Sequence, residues 1–591
     1  MKRMRRIASL LLALAMAFGL TATAFAAEAN TDAGRVTATV TNETDHSYDA
    51  YQIFEGTQEA GNAALGDVGW GSGLNKDGSK LLTALQGDDR FNVGEDGANI
   101  FAGFTEAAQV ATALEEYKAN PVVAAAFANL ADKNRTGAPE AQIAAGATEV
   151  TLPVGYYLLV DTTNLGNGAS DALNPALLQV TNNGDITIKK KYEVPTVDKS
   201  VTGTDGITGE ATDCNIGDSV TFTLTGTLPG DGEGEYDGKY EGKGLDDYET
   251  YQYKFTDTLS EGLKYNGDAE VYLYKDGDVG NNKEDNKIAV TDSFDITHNK
   301  PDGAGGTLTI SIDDLKPVVE DNGGTSKSKI VVVYTAELTA GAEAGNPGNP
   351  NKVKLEYSNN PNTDGNGVPS TGETPDDTVY VFTYELDGTK VDGKNPDKKL
   401  KDAEFVLFRL KEGETGPSYT EVDGKKIPTN VEYALVDRET GKLTGWTESR
   451  DDATAETNIL KSGETGEFKV KGLDAGAYYL EETKAPAGYN LLKDPVKLTI
   501  QAEISQGDDE KKVDPSLTKV EIVTLGADGQ EAPTGGNVAD GSVDLVVQNN
   551  AGALLPSTGG MGTTLFYIVG AALVLAAGVL LVMKRRAGVK K

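Results

Sequence analysis

Two histidines, His46 and His298, and one cysteine, Cys214, are all this 591-residue chain offers of the side chains that most often carry nucleophilic or metal chemistry. The histidines lie far apart in sequence. No His/Cys cluster has the spacing of a transition-metal site, and no Ser-His-Asp set stands out, so the residue types speak against a hydrolase. Lysine amines and carboxyl groups remain in quantity. Three amines, Lys189-Lys190-Lys191, follow the alternating pattern Ile186-Thr187-Ile188, and a lysine becomes a nucleophile once it is deprotonated. The many Asp-rich turns leave calcium an open question, and no cofactor is expected.

The two ends are not part of the fold. Met1-Lys2-Arg3-Met4-Arg5-Arg6, an apolar stretch over 7–20 and the small-x-small triplet Ala24-Phe25-Ala26 have the order of a secretory signal peptide, 1–26. Near the other end, 565–583 is an uncharged, mostly apolar run of about 19 residues, long enough for a transmembrane helix. Lys584-Arg585-Arg586 and Lys590-Lys591 follow it. Positive charge marks the cytoplasmic side, so the body of the chain is expected outside the cell.

That body is acidic, with 91 carboxylate residues against 54 Lys plus Arg and a net charge of −37. Phosphate binding needs the opposite sign, so nucleic acid is excluded as a partner. A single cysteine also rules out a disulfide within one chain, the usual reinforcement of exported proteins.

The patterning is all-β. Val220, Phe222 and Leu224 alternate with threonines, Leu308, Ile310 and Ile312 repeat the pattern, and 330–334 reads as a buried strand. Gly and Asp turns such as Asp302-Gly303 separate the strands, which predicts tandem immunoglobulin-like sandwiches. The 70 glycines show no three-residue period, so collagen is excluded. One stretch differs. Val110, Leu114 and Tyr117 recur at helical spacing, and Ala-rich sequence continues past Pro121 to Leu130, which predicts a helical insertion in the first domain. Pro-containing joints divide the chain into 27–191, 195–368 and 377–553, with 555–591 as the tail.

Leu555-Pro556-Ser557-Thr558-Gly559, followed by the apolar run and the basic end, resembles the LPxTG cell-wall sorting signal of Gram-positive surface proteins. The resemblance implies that a sortase attacks the Thr558 carbonyl, releases the piece beginning at Gly559 and passes the chain to an amine. Val368-Pro369-Ser370-Thr371-Gly372 is similar but has no span after it, and reads as an interdomain linker.

Further motifs resemble those of sortase-assembled shaft pilins. Tyr478-Tyr479-Leu480-Glu481-Glu482-Thr483-Lys484-Ala485-Pro486-Ala487-Gly488-Tyr489 fits the E-box of that family, and 48–54 and 154–160 resemble its first domain. The run at 186–191 resembles the pilin motif, with Lys-Lys where Tyr-Pro is usual. By register Lys191 is then the acceptor amine for the next subunit, with Lys190 and Lys189 as alternatives. The implied partners are pilin-specific and housekeeping sortases, identical subunits, accessory pilins, peptidoglycan and host surface ligands. The implied role is structural, not enzymatic. A monomeric wall-anchored adhesin and a basal pilin are the alternatives.

The third domain resembles a Cna B-type sandwich and the second its A-type relative. Such domains join a lysine on the first strand to an asparagine near the end, assisted by an acid. The matching residues are Lys390, Glu482 and Asn549 in the third domain. In the second they are Lys199, Asp257 and Asn359, with Asn360 as the alternative. The first domain's opening strand has no lysine.

Overall fold

The computed structural model describes residues 30–579 apart from 33–34, 59–64, 95–96, 118–120, 165–170, 174–175, 182–185, 189–193, 231–244, 246–247, 249, 326, 361–370, 423–424, 509–512, 526–529 and 553–567. The signal peptide, the Lys189–Lys191 run and the sorting motif at 555–559 lie outside the described residues.

The first sandwich packs two sheets around Val40, Tyr48, Ala50, Leu152, Tyr157, Leu159, Ile186 and Ile188. One sheet contains Arg35–Asn42, which pairs antiparallel with Val150–Pro153 and parallel with Ile186–Ile188. The other centres on Tyr48–Thr57 and Gly155–Asp161. Three helices, Ser79–Gly87, Ala107–Glu116 and Pro121–Asn134, cover the outer face of this second sheet through Phe54, Tyr156, Leu158, Phe91 and Phe127. With both faces covered, Gly155–Asp161 is buried along its whole length. The helical insertion is as expected, with one helix more. Leu81 and Leu85, one turn apart, are its buried ridge.

The middle sandwich faces a sheet built on Val197–Thr202, Ser219–Thr227 and Lys329–Leu338 against one built on Tyr253–Leu259, Gly306–Ile312 and Asn349–Ser358. The alternating residues Val220, Phe222, Leu224, Leu308 and Ile310 point into its core, while the intervening threonines are half-buried. The strand pairing moves the expected boundary. Thr371–Glu373 pairs with the end of Asn349–Ser358. Asp377–Phe382 pairs antiparallel with the start of that strand and parallel with Ala211–Asp213. Both therefore belong to the middle sandwich, and Thr371 and Gly372 are strand rather than linker. The third sandwich starts at Tyr384.

In the third sandwich the opening strand Tyr384–Asp392 lies between Glu467–Leu473 and the closing strand Ser542–Asn549, and it runs parallel to the latter. The opposite sheet is built on Glu404–Leu410, Gly476–Lys484, Val496–Ser505 and Ser516–Leu525. One continuous buried cluster runs through the middle and third sandwiches. Side-chain amides copy strand pairing across their joint. Asn346 exchanges two 2.9 Å bonds with the Leu517 backbone, and Gln506 does the same with Ala211 at 2.9 and 3.1 Å. The Arg409 guanidinium sits 3.2 Å from Asp218 and stacks on the Trp446 ring at 4.2 Å. At the centre Tyr384 donates to Asp213 at 2.8 Å, and Tyr478 donates to Asn215 at 2.9 Å. Asp474 shares a hydrogen bond with Asp213. Burial, then the charge of Asp213, push the Asp474 carboxyl up to about 8, so it holds the proton that Asp213 accepts.

Residues 568–579 are helical and exposed, and the remainder of the expected span lies outside the described residues. Among the described residues no helix is long and apolar enough to cross a membrane.

Candidate functional site

Two charged side chains that ordinarily stay in water, Lys390 and Lys199, are fully buried, each at 0% exposure. Burying an ammonium costs several kcal/mol unless the group is paired or neutralised, so each marks a built site.

Lys390 points into the third core because the opening strand alternates faces, with Leu386 and Gly388 on the same side. Gly388 leaves room for the Phe468 ring, which a Cβ would meet at 2.1 Å. Phe468 in turn stacks on Phe405 at 4.7 Å, and the Lys390 amine lies 5.3 Å from the Phe405 ring centre. The parallel ladder pairs Lys390 with Val547 and places Asn549 two residues further along the neighbouring strand, opposite Asp392. The Lys390 Nζ is 2.5 Å from Asn549 Oδ1 and 2.9 Å from Glu482 Oε1. The Asn549 Nδ2 donates to both Glu482 oxygens, at 2.8 and 2.9 Å. Leu492 N–H donates to Glu482 at 2.9 Å and fixes the carboxyl. Burial lowers the Lys390 pKa despite the adjacent carboxyl group, which favours the neutral, nucleophilic amine. The three groups predicted for this domain thus meet in one buried cluster, with amine, amide and acid in mutual contact.

In the middle sandwich Lys199 and Asp257 face each other from opposite sheets in direct contact. Burial depresses the lysine pKa and raises that of the aspartic acid, so the neutral pair is favoured. The asparagine differs from the expectation. Asn349–Ser358 runs antiparallel to Tyr253–Leu259 with Asp257 opposite Val353 and Leu259 opposite Asn351. Residues 359 and 360 therefore fall past the far end of the strand. There the Asn359 carbonyl accepts from Leu173 N–H of the first domain, at 2.7 Å. The amide that shares a partner with the amine is that of Asn351, fully buried, whose Nδ2 donates to the Tyr334 hydroxyl at 2.6 Å. The Lys199 Nζ lies 3.5 Å from the same hydroxyl. Asn351 was hidden among Asn349, Asn359 and Asn360. Only register against Asp257 separates them.

The first sandwich has no buried lysine among its described residues. Its buried polar centre is His46, whose Nδ1 is 2.5 Å from Asp161 and whose Nε2 is 3.1 Å from Asp171. Asp45, His46 and Asp171 form the group of potential metal ligands among the described residues. Both ring nitrogens are engaged by carboxylates, an arrangement that ties the loops carrying His46 and Asp171 to the end of the strand Gly155–Asp161.

Residues 385–512 match the SpaA family, a prealbumin-like fold domain, and residues 547–589 match the LPXTG cell wall anchor motif. The trypsin-resistant surface T6 protein of Streptococcus pyogenes serotype M6 is 26% identical over 494 residues, covering 71% of this chain and 78% of that protein. Two solved structures are also similar. The T6 backbone pilin of serotype M6 Streptococcus pyogenes is 18% identical with a TM-score of 0.44, over 89% of this chain and 100% of that one. The group B streptococcus pilus 2b backbone protein is 23% identical with a TM-score of 0.36, over 61% and 99%. With its wall-anchor motif, its prealbumin-like domain and its similarity to the T6 protein, the chain is an exported, cell wall-anchored structural protein that resembles Gram-positive backbone pilins.

Proposed function

We propose that this chain is the repeating shaft subunit of a covalent surface fibre, locked internally by Lys390–Asn549 and Lys199–Asn351 amide bonds. The observation that carries the reading is the contact of amine, amide and acid in the third core. A neutral Lys390 attacks the Asn549 Cγ, forming the Nζ–Cγ bond. Glu482 takes one amine proton and passes it to Nδ2, the Cγ–Nδ2 bond breaks, and ammonia leaves. The event happens once per domain and regenerates nothing, so it is maturation rather than turnover.

Between subunits, a pilin-specific sortase would cleave at Thr558–Gly559 and transfer the Thr558 acyl group to the next copy. Lys191 is the acceptor by register, with Lys190 and Lys189 as alternatives. A housekeeping sortase would then attach the finished fibre to peptidoglycan, where it supports adhesion with accessory pilins. The test is a denaturing gel of wall extracts from the producing bacterium, wild type beside a Lys189/Lys190/Lys191→Ala variant. A high-mass ladder that collapses to monomer in the variant is expected. One monomer band in both strains would refute polymerisation and leave a wall-anchored adhesin.

A further inference from the structure

The two buried clusters are not built alike. In the third sandwich the Glu482 carboxyl reaches the leaving-group nitrogen directly, with Asn549 Nδ2 within 2.9 Å of both its oxygens. In the middle sandwich the acid is aspartic, one methylene shorter, and among the described residues it makes no hydrogen bond to Asn351. Asp257 Oδ1 and Asn351 Oδ1 are both buried without a partner. The gap between acid and amide is filled by the Tyr334 hydroxyl. It accepts from Asn351 Nδ2 at 2.6 Å, lies 3.5 Å from Lys199 Nζ and is near enough to the Asp257 carboxyl to interact with it. Among the described residues it is the one group that touches amine, amide and acid together. The third cluster has the Phe405 ring against its amine, and among the described residues no hydroxyl is hydrogen-bonded to that amine.

The geometry points to Tyr334 as a catalytic residue of the middle-domain cross-link, relaying a proton from Asp257 to the departing nitrogen of Asn351. The inference rests on the Lys199–Asn351 reading above. The Lys199 lone pair attacks the Asn351 Cγ, and the carbonyl π electrons move to Oδ1. The Tyr334 hydroxyl proton passes to Nδ2 and is replaced from the protonated Asp257. The Asp257 carboxylate so formed takes one Nζ proton. As the carbonyl re-forms, the Cγ–Nδ2 bond breaks and ammonia departs. The amine has lost one hydrogen, the leaving nitrogen has gained one, and Asp257 and Tyr334 end as they began. The ring is held independently of its hydroxyl, stacked on Phe222 at 5.4 Å and edge-on to Tyr265 at 5.6 Å. Tyr334→Phe therefore deletes the relay and keeps the packing.

The test follows the bond as it forms. The full chain is made by cell-free synthesis, aliquots are quenched in acid denaturant and digested, and the joined Lys199–Asn351 peptide is measured by mass against time. The joined Lys390–Asn549 peptide in the same sample serves as an internal clock. In Tyr334→Phe the middle-domain peptide should accumulate about 100-fold more slowly or worse, the range for losing one positioned acid–base group, with the clock unchanged. An unchanged rate overturns the relay. Absence of the Lys199–Asn351 peptide in wild type, with the clock running, overturns the underlying reading and the relay with it. Packing is controlled by comparing Lys199→Ala with Lys199→Ala/Tyr334→Phe, neither of which can form the bond. Equal melting is expected, and a marked drop in the double variant would assign the slowing to structure and refute the relay.

Discussion

Replacing Asp474 by Asn should flatten the pH dependence of the joint between the middle and third sandwiches. Asp474 has a folded pKa raised from 3.8 to about 8, so the native state binds a proton that the unfolded chain has released. The stabilisation is fully present below about pH 4 and is lost as pH rises through 8, giving a native joint that is firmer in mild acid. At about 1.4 kcal/mol per unit the gap sets a ceiling of about 6 kcal/mol. Two features lower it. The proton is shared with Asp213, which Tyr384 also stabilises as the acceptor, and both carboxyls are only partly buried. A loss of about 2 kcal/mol between pH 5.5 and pH 8 is the working figure. Trp446 stacks on Tyr478 at 6.1 Å beside the pair, so its fluorescence reports on this joint once Trp70 is replaced by Phe. Urea midpoints in that background should fall with pH for the parent and stay level for Asp474→Asn, with the variant the more stable at pH 8. Groups elsewhere titrate identically in both and cancel. If the variant keeps the full slope, or is the weaker protein at pH 8, the shared-proton account is wrong.

Asn549→Ala should leave the third domain unlinked and more easily digested by trypsin. Closing the 390–549 loop is worth about 5 kcal/mol on the chain-entropy account, which unfolding of the variant would reveal. Glu482→Gln keeps the shape but cannot carry the proton, so intact mass should show one bond where wild type shows two. Asn351→Ala should abolish the middle-domain bond and Asn359→Ala should not; peptide mapping decides, and the reverse result would restore the expectation drawn from sequence. Gly388→Ala drives a Cβ to 2.1 Å from the Phe468 ring and should cost about 1–3 kcal/mol, read as a lower melting temperature.

The cluster of the third domain was legible because each member sits at a fixed place in a recognisable strand: Lys390 in 386–391, Glu482 in the E-box, Asn549 near the end. The middle domain was half legible. Lys199 and Asp257 come from short, strongly alternating strands. Asn351 and Tyr334 are set by register between strands far apart in sequence, which composition does not encode. Tyr334 lies at the end of an apolar run where a tyrosine reads only as core. The boundary was misplaced for a related reason. The Gly- and Pro-rich stretch before Thr371 interrupts two strands of one sheet, and local turn chemistry looks the same within a domain as between domains. The joint of Arg409, Trp446, Asp213 and Asp474 joins residues 191 or more positions apart and left no sequence trace.

The parallel alignment of Tyr384–Asp392 with Ser542–Asn549 has a consequence for extensibility. Chain enters the third sandwich at one pole and leaves at the other along neighbouring strands. With Lys390 bonded to Asn549, a pull along the fibre passes through the first few residues of the opening strand and out through the link. The intervening loop of about 160 residues, about 500 Å if drawn straight, stays off the line of tension. Such a subunit cannot lengthen by yielding this domain. Whatever give the fibre has must come from segments outside the loop, so it should behave as a stiff tether whose reach is fixed by subunit count.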